Sequence, residues 1–218
     1  PHPARTARVE PMALSRWRDV WRRFTGRGAY PHELAFLLTL PLRRLIQPPG
    51  ALLHRLGLAR DSNVLEIGPG PGYFSVAVAR AVPSGRLVLY DLQREMLLKA
   101  RRRLARDRAA NAAFVQGDGA RLPFRVGSFD VAFLVAVLGE VPDPEGCIES
   151  LRRVLRPGGL LSLTETIGDP DALTQEQARA LVERNGFEVE AVFTDRVGFT
   201  LNARSRSQRP SAGRRYPE

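Results

Sequence analysis

Short apolar runs and helix-period stretches alternate through the middle of this chain. The runs near 63–67, 86–90, 112–116, 129–135 and 159–165 are rich in Val, Leu, Ile and Phe, and short continuous runs of this kind read as strands buried on both faces. Between them, 73–81, 93–107 and 145–155 repeat their apolar positions at helical spacing, as Phe74, Val76, Ala77, Val78 and Ala81 do, which predicts helices with one buried face. Pro157-Gly158-Gly159 predicts a turn ahead of the fifth strand. A helix over 174–185 is stopped by Asn185-Gly186, a pair suited to a helix C-terminus. Strands over 187–193 and 197–203 follow, and the short Thr194-Asp195-Arg196 link between them predicts an antiparallel hairpin. Five parallel strands with helices between them, closed by a hairpin, make an α/β fold around one seven-stranded, mostly parallel sheet.

The flanks read differently. Residues 1–11 are rich in Pro and Arg and predict disorder. Over 12–24, Leu14, Trp17, Trp21 and Phe24 share a face, with Arg16, Arg18, Arg22 and Arg23 around it. Such a helix is expected to pack its aromatic stripe on its own domain, and weak contact with a membrane surface through residues 12–24 stays open. Two more helices are predicted over 32–46 and 49–57, broken at Pro48-Pro49. From Arg204 the chain is Ser, Arg, Pro and Gly, a loose tail. The division expected is a basic helical extension over 1–60, a core over 61–203 and a basic tail over 204–218.

Composition narrows the function classes. At 218 residues the chain suits one domain with extensions, large enough for a full core. The net charge of +10 looks like a nucleic-acid signal until it is located: residues 1–60 carry +8, 204–218 carry +4, and 61–203 carry −2. A near-neutral core with basic ends predicts solvated arms and no specific nucleic-acid partner. Lys99 is the only lysine, so the Arg excess reflects composition and no demand for guanidinium chemistry. A lone cysteine, Cys147, excludes an internal disulfide and sets a reducing, cytoplasmic compartment as the expectation. Cys147 lies in a helical pattern and reads as packing. No secretory signal opens the chain, and Pro1 in place of a starting methionine suggests a trimmed chain or a true start at Met12.

The candidate chemistry sits at the strand ends. After Val64-Leu65-Glu66-Ile67 come three alternating glycines, Gly68, Gly70 and Gly72, which read as a buried strand turning sharply into a helix through a loop stripped of side chains. The spacing does not match the dinucleotide pattern G-x-G-x-x-G from either starting glycine, and Pro69 and Pro71 remove two of the N–H donors on which a phosphate cradle depends. The second strand ends at Asp91, placed to accept hydrogen bonds from both hydroxyls of a ribose. The third leads into Gln116-Gly117-Asp118-Gly119, which puts Asp118 in reach of an exocyclic amine on adenine. The fourth leads to Gly139-Glu140. Any one of these acids also suits a turn, but the ordered set describes one crevice at the carboxyl edge of a parallel sheet.

The stretches VLEIGPGPGYFS, LVLYDLQREML, VQGDGARLPF, SFDVAFLVAVLGEVPDP and LRRVLRPGGLLSLTE resemble the class I S-adenosylmethionine-dependent methyltransferases, most nearly the broad group with the ubiquinone/menaquinone-type enzymes, over roughly residues 35–203. The resemblance implies a Rossmann-like sheet with helices on both faces, N-terminal helices over the substrate side, and S-adenosyl-L-methionine as cofactor. Carried over by position, it implies cofactor contacts at Glu66, Gly68, Gly70, Gly72, Asp91, Leu92, Asp118, Gly119 and Val135. Methyl transfer is an in-line displacement that needs positioning and exclusion of water, and a base only for some acceptors. Glu140 is the first candidate base and His32 the second; relatives often carry His at the position of Gly139 or Glu140, which this chain lacks. Glu165 faces the same crevice, and Glu66 ties down either the glycine loop or a cofactor amine. No cluster with metal-ligand spacing stands out. The function expected is methyl transfer to O, N or C of a small molecule. The rivals are a macromolecular acceptor, an NAD(P)-dependent oxidoreductase, and a noncatalytic cofactor-binding protein; the oligomeric state is open.

Overall fold

The computed structural model describes residues 48–206 apart from 168 and 170. The helices expected over 12–24 and 32–46, His32, and the tail beyond 206 lie outside these residues. The order of elements is α1 (Pro49–Leu56), β1 (Asn63–Ile67), α2 (Ser75–Ala81), β2 (Arg86–Asp91), α3 (Arg94–Arg106), β3 (Ala112–Gln116) and β4 (Phe129–Val135). A short 3-10 turn (Leu138–Glu140) leads to α4 (Pro144–Val154), β5 (Leu155–Thr166), α5 (Gln175–Arg184), β6 (Phe187–Thr194) and β7 (Gly198–Ser205).

Among the described residues one seven-stranded sheet runs β3-β2-β1-β4-β5-β7-β6. β1 pairs in parallel with both β2 and β4, and only β7 runs against its neighbours β5 and β6. This is the mostly parallel α/β sheet with a terminal antiparallel hairpin that the residue pattern predicts. Strand side chains alternate between two cores. Val64, Leu87, Leu89, Val131, Phe133 and Leu160 meet α1, α2 and α3, while Leu65, Val88, Tyr90, Leu134, Leu161 and Leu163 meet α4 and α5. Helices thus cover both faces, and the near-continuous apolar strands follow from burial on both sides.

Several boundaries differ from expectation, each for a physical reason. The fifth strand starts four residues early, because Pro157-Gly158-Gly159 forms a bulge within β5 in place of a preceding turn. Phe129 pairs with Leu155 and Val131 with Leu160, so β5 loops out extra residues there, and Gly158 takes φ +73°. α2 starts at Ser75, two residues later than the pattern implies, since Gly72 at φ +77° and a turn over 70–74 occupy the approach. α1 belongs to the core: Leu52 and Leu56 are buried with Val78 and Leu97. β7 likewise runs through Ser205, past the expected start of the tail.

The strand order fixes where a ligand can sit. The chain leaves β1 for β2 and β3 on one side and continues with β4 and β5 on the other, so the connections diverge over the carboxyl ends of β1 and β4. In open α/β sheets the ligand crevice lies at this reversal.

Candidate functional site

Two loops meet over the reversal. The loop after β1 places Gly68, Gly70 and Gly72 at φ +63°, +51° and +77°, a left-handed backbone that residues with a Cβ adopt at a cost. The loop after β4 opens with Ala136, at φ +54° although it is not glycine, and the Ala136 N–H donates to the Thr164 carbonyl at 2.8 Å. The next residue, Val137, packs against Gly68: a Cβ on that glycine would lie 2.4 Å from Val137 Cγ2. A Cβ on Gly72 would lie 3.0 Å from the Ala100 backbone of α3. Two of the three glycines are therefore required by protein packing. Gly70 is the one whose backbone N–H hydrogen-bonds the Asp91 carboxyl.

Asp91 ends β2 and is 9% exposed. Burial pushes its carboxyl up to about 6, opposed by hydrogen bonds from the Gln93 and Gly70 backbone N–H groups; the Gln93 N–H reaches Oδ1 at 2.8 Å. A carboxylate offers about four acceptor positions, so two bonds leave capacity for more. Beside it Leu92 is 55% exposed, a large apolar side chain in water at the crevice rim. Asp118, also exposed, caps its own turn by accepting from the Ala120 N–H at 3.0 Å. Its neighbour Gly117 has no room for a side chain, since a Cβ would meet the Tyr90 hydroxyl at 2.0 Å, whereas Gly119 has ordinary contacts only.

Glu66 lies buried in β1, and Ser75 Oγ donates to its Oε2 at 2.6 Å, tying the start of α2 to the strand beyond the glycine loop. Burial pushes this carboxyl up to about 8; the Ser75 bond opposes the shift and the Asp91 charge adds to it. Both the burial and the neighbouring charge favour the protonated form of Glu66.

A second space opens beside the crevice. Phe74, at the end of the glycine loop, and Val135, at the end of β4, form one wall of a cleft of about 440 Å³ including its open mouth; Leu52, Arg55, Glu165 and Phe199 line it further. Arg55, on α1, donates to Thr200 Oγ1 at 2.7 Å and to Asp195 Oδ2 at 3.1 Å, and stands 5.5 Å from the centre of the Phe193 ring. The Arg55 carbonyl accepts from Asn202 Nδ2 at 2.7 Å. Thr200 and Asn202 thus dock the end of α1 onto β7, and Thr164 of β5 backs the first of them, its Oγ1 lying 2.9 Å from Thr200 Oγ1. Arg55 and Thr200 carried no signal in the sequence, because partners some 145 positions apart share no spacing rule.

Of the residues singled out beforehand, Gly68, Gly70, Gly72, Asp91, Leu92 and Val135 converge on the reversal, with Asp118 and Gly119 on the neighbouring loop. Glu66 lies beneath them. Glu140 sits in the 3-10 turn after β4, half-buried. Its neighbour Gly139 is closed to any side chain, since a Cβ would lie 1.8 Å from the Asp171 carbonyl oxygen. Asp143, from the same stretch, is the N-cap of α4, accepting from the Gly146 N–H at 2.9 Å. Cys147 is buried in α4. Among the described residues no group of three His, Cys, Asp or Glu could hold a metal ion, and no helix is long and apolar enough to cross a membrane.

Comparison with known proteins finds methyltransferases among the chains to which this one is similar. A family described as "Methyltransferase domain" matches residues 65–163. A ubiquinone/menaquinone biosynthesis C-methyltransferase of Azotobacter vinelandii is 37% identical over 132 residues, which are 56% of this chain and 52% of that protein; the chain spans about half the length of the curated relatives it matches. Among solved structures, a SAM-dependent methyltransferase from Aquifex aeolicus superposes with a TM-score of 0.76 at 20% identity, covering 81% of this chain and 100% of that one. The [4+2]-cyclase SpnF superposes at 0.66 and 20% identity, covering 72% of this chain and 79% of that one.

Proposed function

The chain belongs to the class I S-adenosylmethionine-dependent methyltransferase family, and from that premise we propose that it is an enzyme that methylates a small organic molecule. The observation that carries this reading is the pairing of two spaces: a polar crevice at the sheet's reversal, and an apolar cleft opening from it at Phe74 and Val135.

The residues present fit the family's cofactor, S-adenosyl-L-methionine, which when bound supplies an electrophilic methyl group on positively charged sulfur. Asp91, with acceptor capacity to spare, holds the ribose hydroxyls by charge-assisted hydrogen bonds. The exposed Leu92 side chain offers an apolar face to the base, and Asp118 with Gly119 borders the base's polar edge. Gly70 lets the backbone approach the amino-acid end, Gly68 locks that loop against Val137, and Val135 closes the crevice on the β4 side. Glu66 acts one step back by fixing Ser75 and the exit of the loop. Positioning of this kind supplies much of the rate in displacement chemistry, and the apolar cleft walls keep water from the reacting centre.

The acceptor is read as a small molecule because the cleft is modest in volume, its walls are mostly apolar, and the matched Azotobacter protein is named for ubiquinone/menaquinone biosynthesis. The folding unit is read as 61–203 together with α1, with residues 1–60 otherwise an extension and 204–218 a tail. Two measurements test the function. Calorimetry is expected to show micromolar binding of S-adenosylmethionine or S-adenosylhomocysteine and none of NAD. Labelled S-adenosylmethionine is then expected to transfer its methyl to a component of a small-molecule extract. Transfer only to RNA or protein fractions would favour a macromolecular acceptor. NAD binding in place of S-adenosylhomocysteine would overturn the reading.

A further inference from the structure

Glu165 stands apart from the other acids at the sheet edge. It is 3% exposed near the end of β5 and lines the cleft. Among the described residues no hydrogen bond reaches its carboxyl. A buried carboxyl without a partner costs stability unless something satisfies it, so an unpaired one beside an apolar cleft points to a ligand. The other charged groups there do not fill the role. Arg55 is engaged by Asp195 and Thr200, and Glu140 and Asp169 act on Glu165 only as like charges.

We propose that Glu165 is the residue that binds and deprotonates the methyl acceptor, and that the acceptor is a neutral, ring-sized apolar molecule bearing an ionisable hydroxyl. The inference rests on the methyltransferase reading and assigns the base to Glu165 in place of Glu140. The walls Leu52, Phe74, Val135 and Phe199 suit an apolar ring, and the Glu165 carboxyl, which has no described partner, suits a hydroxyl. Among the described residues, a carboxylate- or phosphate-bearing acceptor would meet the Glu165, Asp169 and Glu140 carboxyls and no unengaged cation. An ammonium would be drawn by the same acids, but its three N–H donors would find there one unengaged carboxyl among the described residues, that of Glu165. In the step itself the acceptor O–H bond breaks, the proton passes to a Glu165 carboxylate oxygen, and the electron pair stays on the acceptor oxygen. That charge activates the oxygen, or a ring carbon conjugated with it. Burial, with the Asp169 and Glu140 charges, pushes the Glu165 carboxyl up to about 8, so the fraction able to accept a proton rises across pH 7–9.

The full chain saturated with S-adenosylhomocysteine is titrated with 2-naphthol, 2-naphthoate and phenethylamine by calorimetry. Methyl transfer from labelled S-adenosylmethionine to 1,4-dihydroxynaphthalene is followed from pH 6 to 9. Naphthol is expected to bind at least tenfold more tightly than either charged probe, and Glu165→Leu to lose that binding tenfold while holding S-adenosylhomocysteine within twofold of the parent. The parent's kcat/KM should rise with a midpoint near pH 8. Glu165→Gln should flatten this rise and lower the rate roughly 100-fold, whereas Glu140→Gln keeps the rise. Should either variant fail to fold, Glu165→Asp, which withdraws the carboxyl by one methylene, is expected to weaken naphthol and slow transfer in its place. Preference for naphthoate or phenethylamine, no naphthol binding, no transfer to the hydroxyl probe, or a pH rise that survives Glu165→Gln overturns the proposal. Failure to bind S-adenosylhomocysteine overturns the methyltransferase reading instead.

Discussion

Replacing Glu66 by Gln tests how the site is held, because it removes a buried charge and keeps the shape. Burial raises the Glu66 carboxyl from 4.5 to about 8 in the folded protein, so the folded state holds a proton that the unfolded chain releases. Stability from this group is then full below the unfolded pKa and is lost as pH rises through the folded one. Integrating between pH 5 and pH 8 gives a loss of about 3 to 4 kcal/mol from Glu66 alone. Gln keeps an oxygen for the Ser75 hydroxyl and has nothing to ionise, so Glu66→Gln should match the parent at pH 5 within about 1 kcal/mol. At pH 8 it should exceed the parent by about 3 kcal/mol, a difference of roughly 10 °C in thermal midpoint for a domain of this size. Asp91 and Glu165, also raised by burial, slope in the same direction in both proteins and cancel to first order in the comparison. Urea unfolding of the cofactor-free chain at pH 5, 6, 7 and 8 measures the difference. Parallel stability curves for parent and variant would show that Glu66 is ionised in the folded state, and the reasoning from burial would fail.

Asp91→Ala should weaken S-adenosylhomocysteine by about 1.5–3 kcal/mol, the loss of charge-assisted hydrogen bonds, with little change in unfolding midpoint; unchanged calorimetric affinity would remove Asp91 from the cofactor site. Gly72→Ala puts a Cβ 3.0 Å from Ala100 Cα at φ +77°, so a loss of about 2–4 kcal/mol is expected from strain and overpacking together, read as a fall in thermal midpoint. Arg55→Met removes the side-chain bonds to Thr200 and Asp195 and should cost about 1–3 kcal/mol in urea unfolding. It should also weaken 2-naphthol more than S-adenosylhomocysteine, and equal effects on both ligands would mean that α1 supports the whole crevice and not the cleft alone.

The sheet was legible because its strands are continuous apolar runs whose lengths and spacing leave few alternatives, and the hairpin because its link is three residues long. The bulge at Pro157-Gly158-Gly159 was not, since Pro and Gly signal a turn equally well whether the ladder stops or loops out and resumes. The crevice side of the site could be read because strand ends in a parallel sheet project onto one edge, so Asp91, Asp118 and Glu140 fall there by counting. The cleft side could not. It depends on α1 docking through Arg55 against Thr200, Asn202 and Asp195, contacts between chain segments that local periodicity does not relate. Nor does sequence separate the glycine that serves a hydrogen bond, Gly70, from the two that serve packing, Gly68 and Gly72.

That separation bears on how the site divides its work. The loops after β1 and β4 are locked through one contact, Val137 against Gly68, and the lock is set by Ala136 in a left-handed conformation that costs a residue with a Cβ about 1–2 kcal/mol. Such strain persists only where its surroundings enforce it, and here the bond from the Ala136 N–H to Thr164 on β5 does so. The crevice is therefore prebuilt, with its loops interlocked and Asp91 already oriented by Gly70 and Gln93. The cleft beside it is less committed: Glu165 has no described partner, and α1 is held by polar contacts at its end and by Leu52 and Leu56 beneath. Preorganisation of the crevice, and a carboxyl without a described partner in the cleft, fit the proposed division, in which the crevice holds the methyl donor and the cleft takes the acceptor. Changes in acceptor preference should accordingly arise around Glu165, Phe199 and α1, and leave the loops over the reversal untouched.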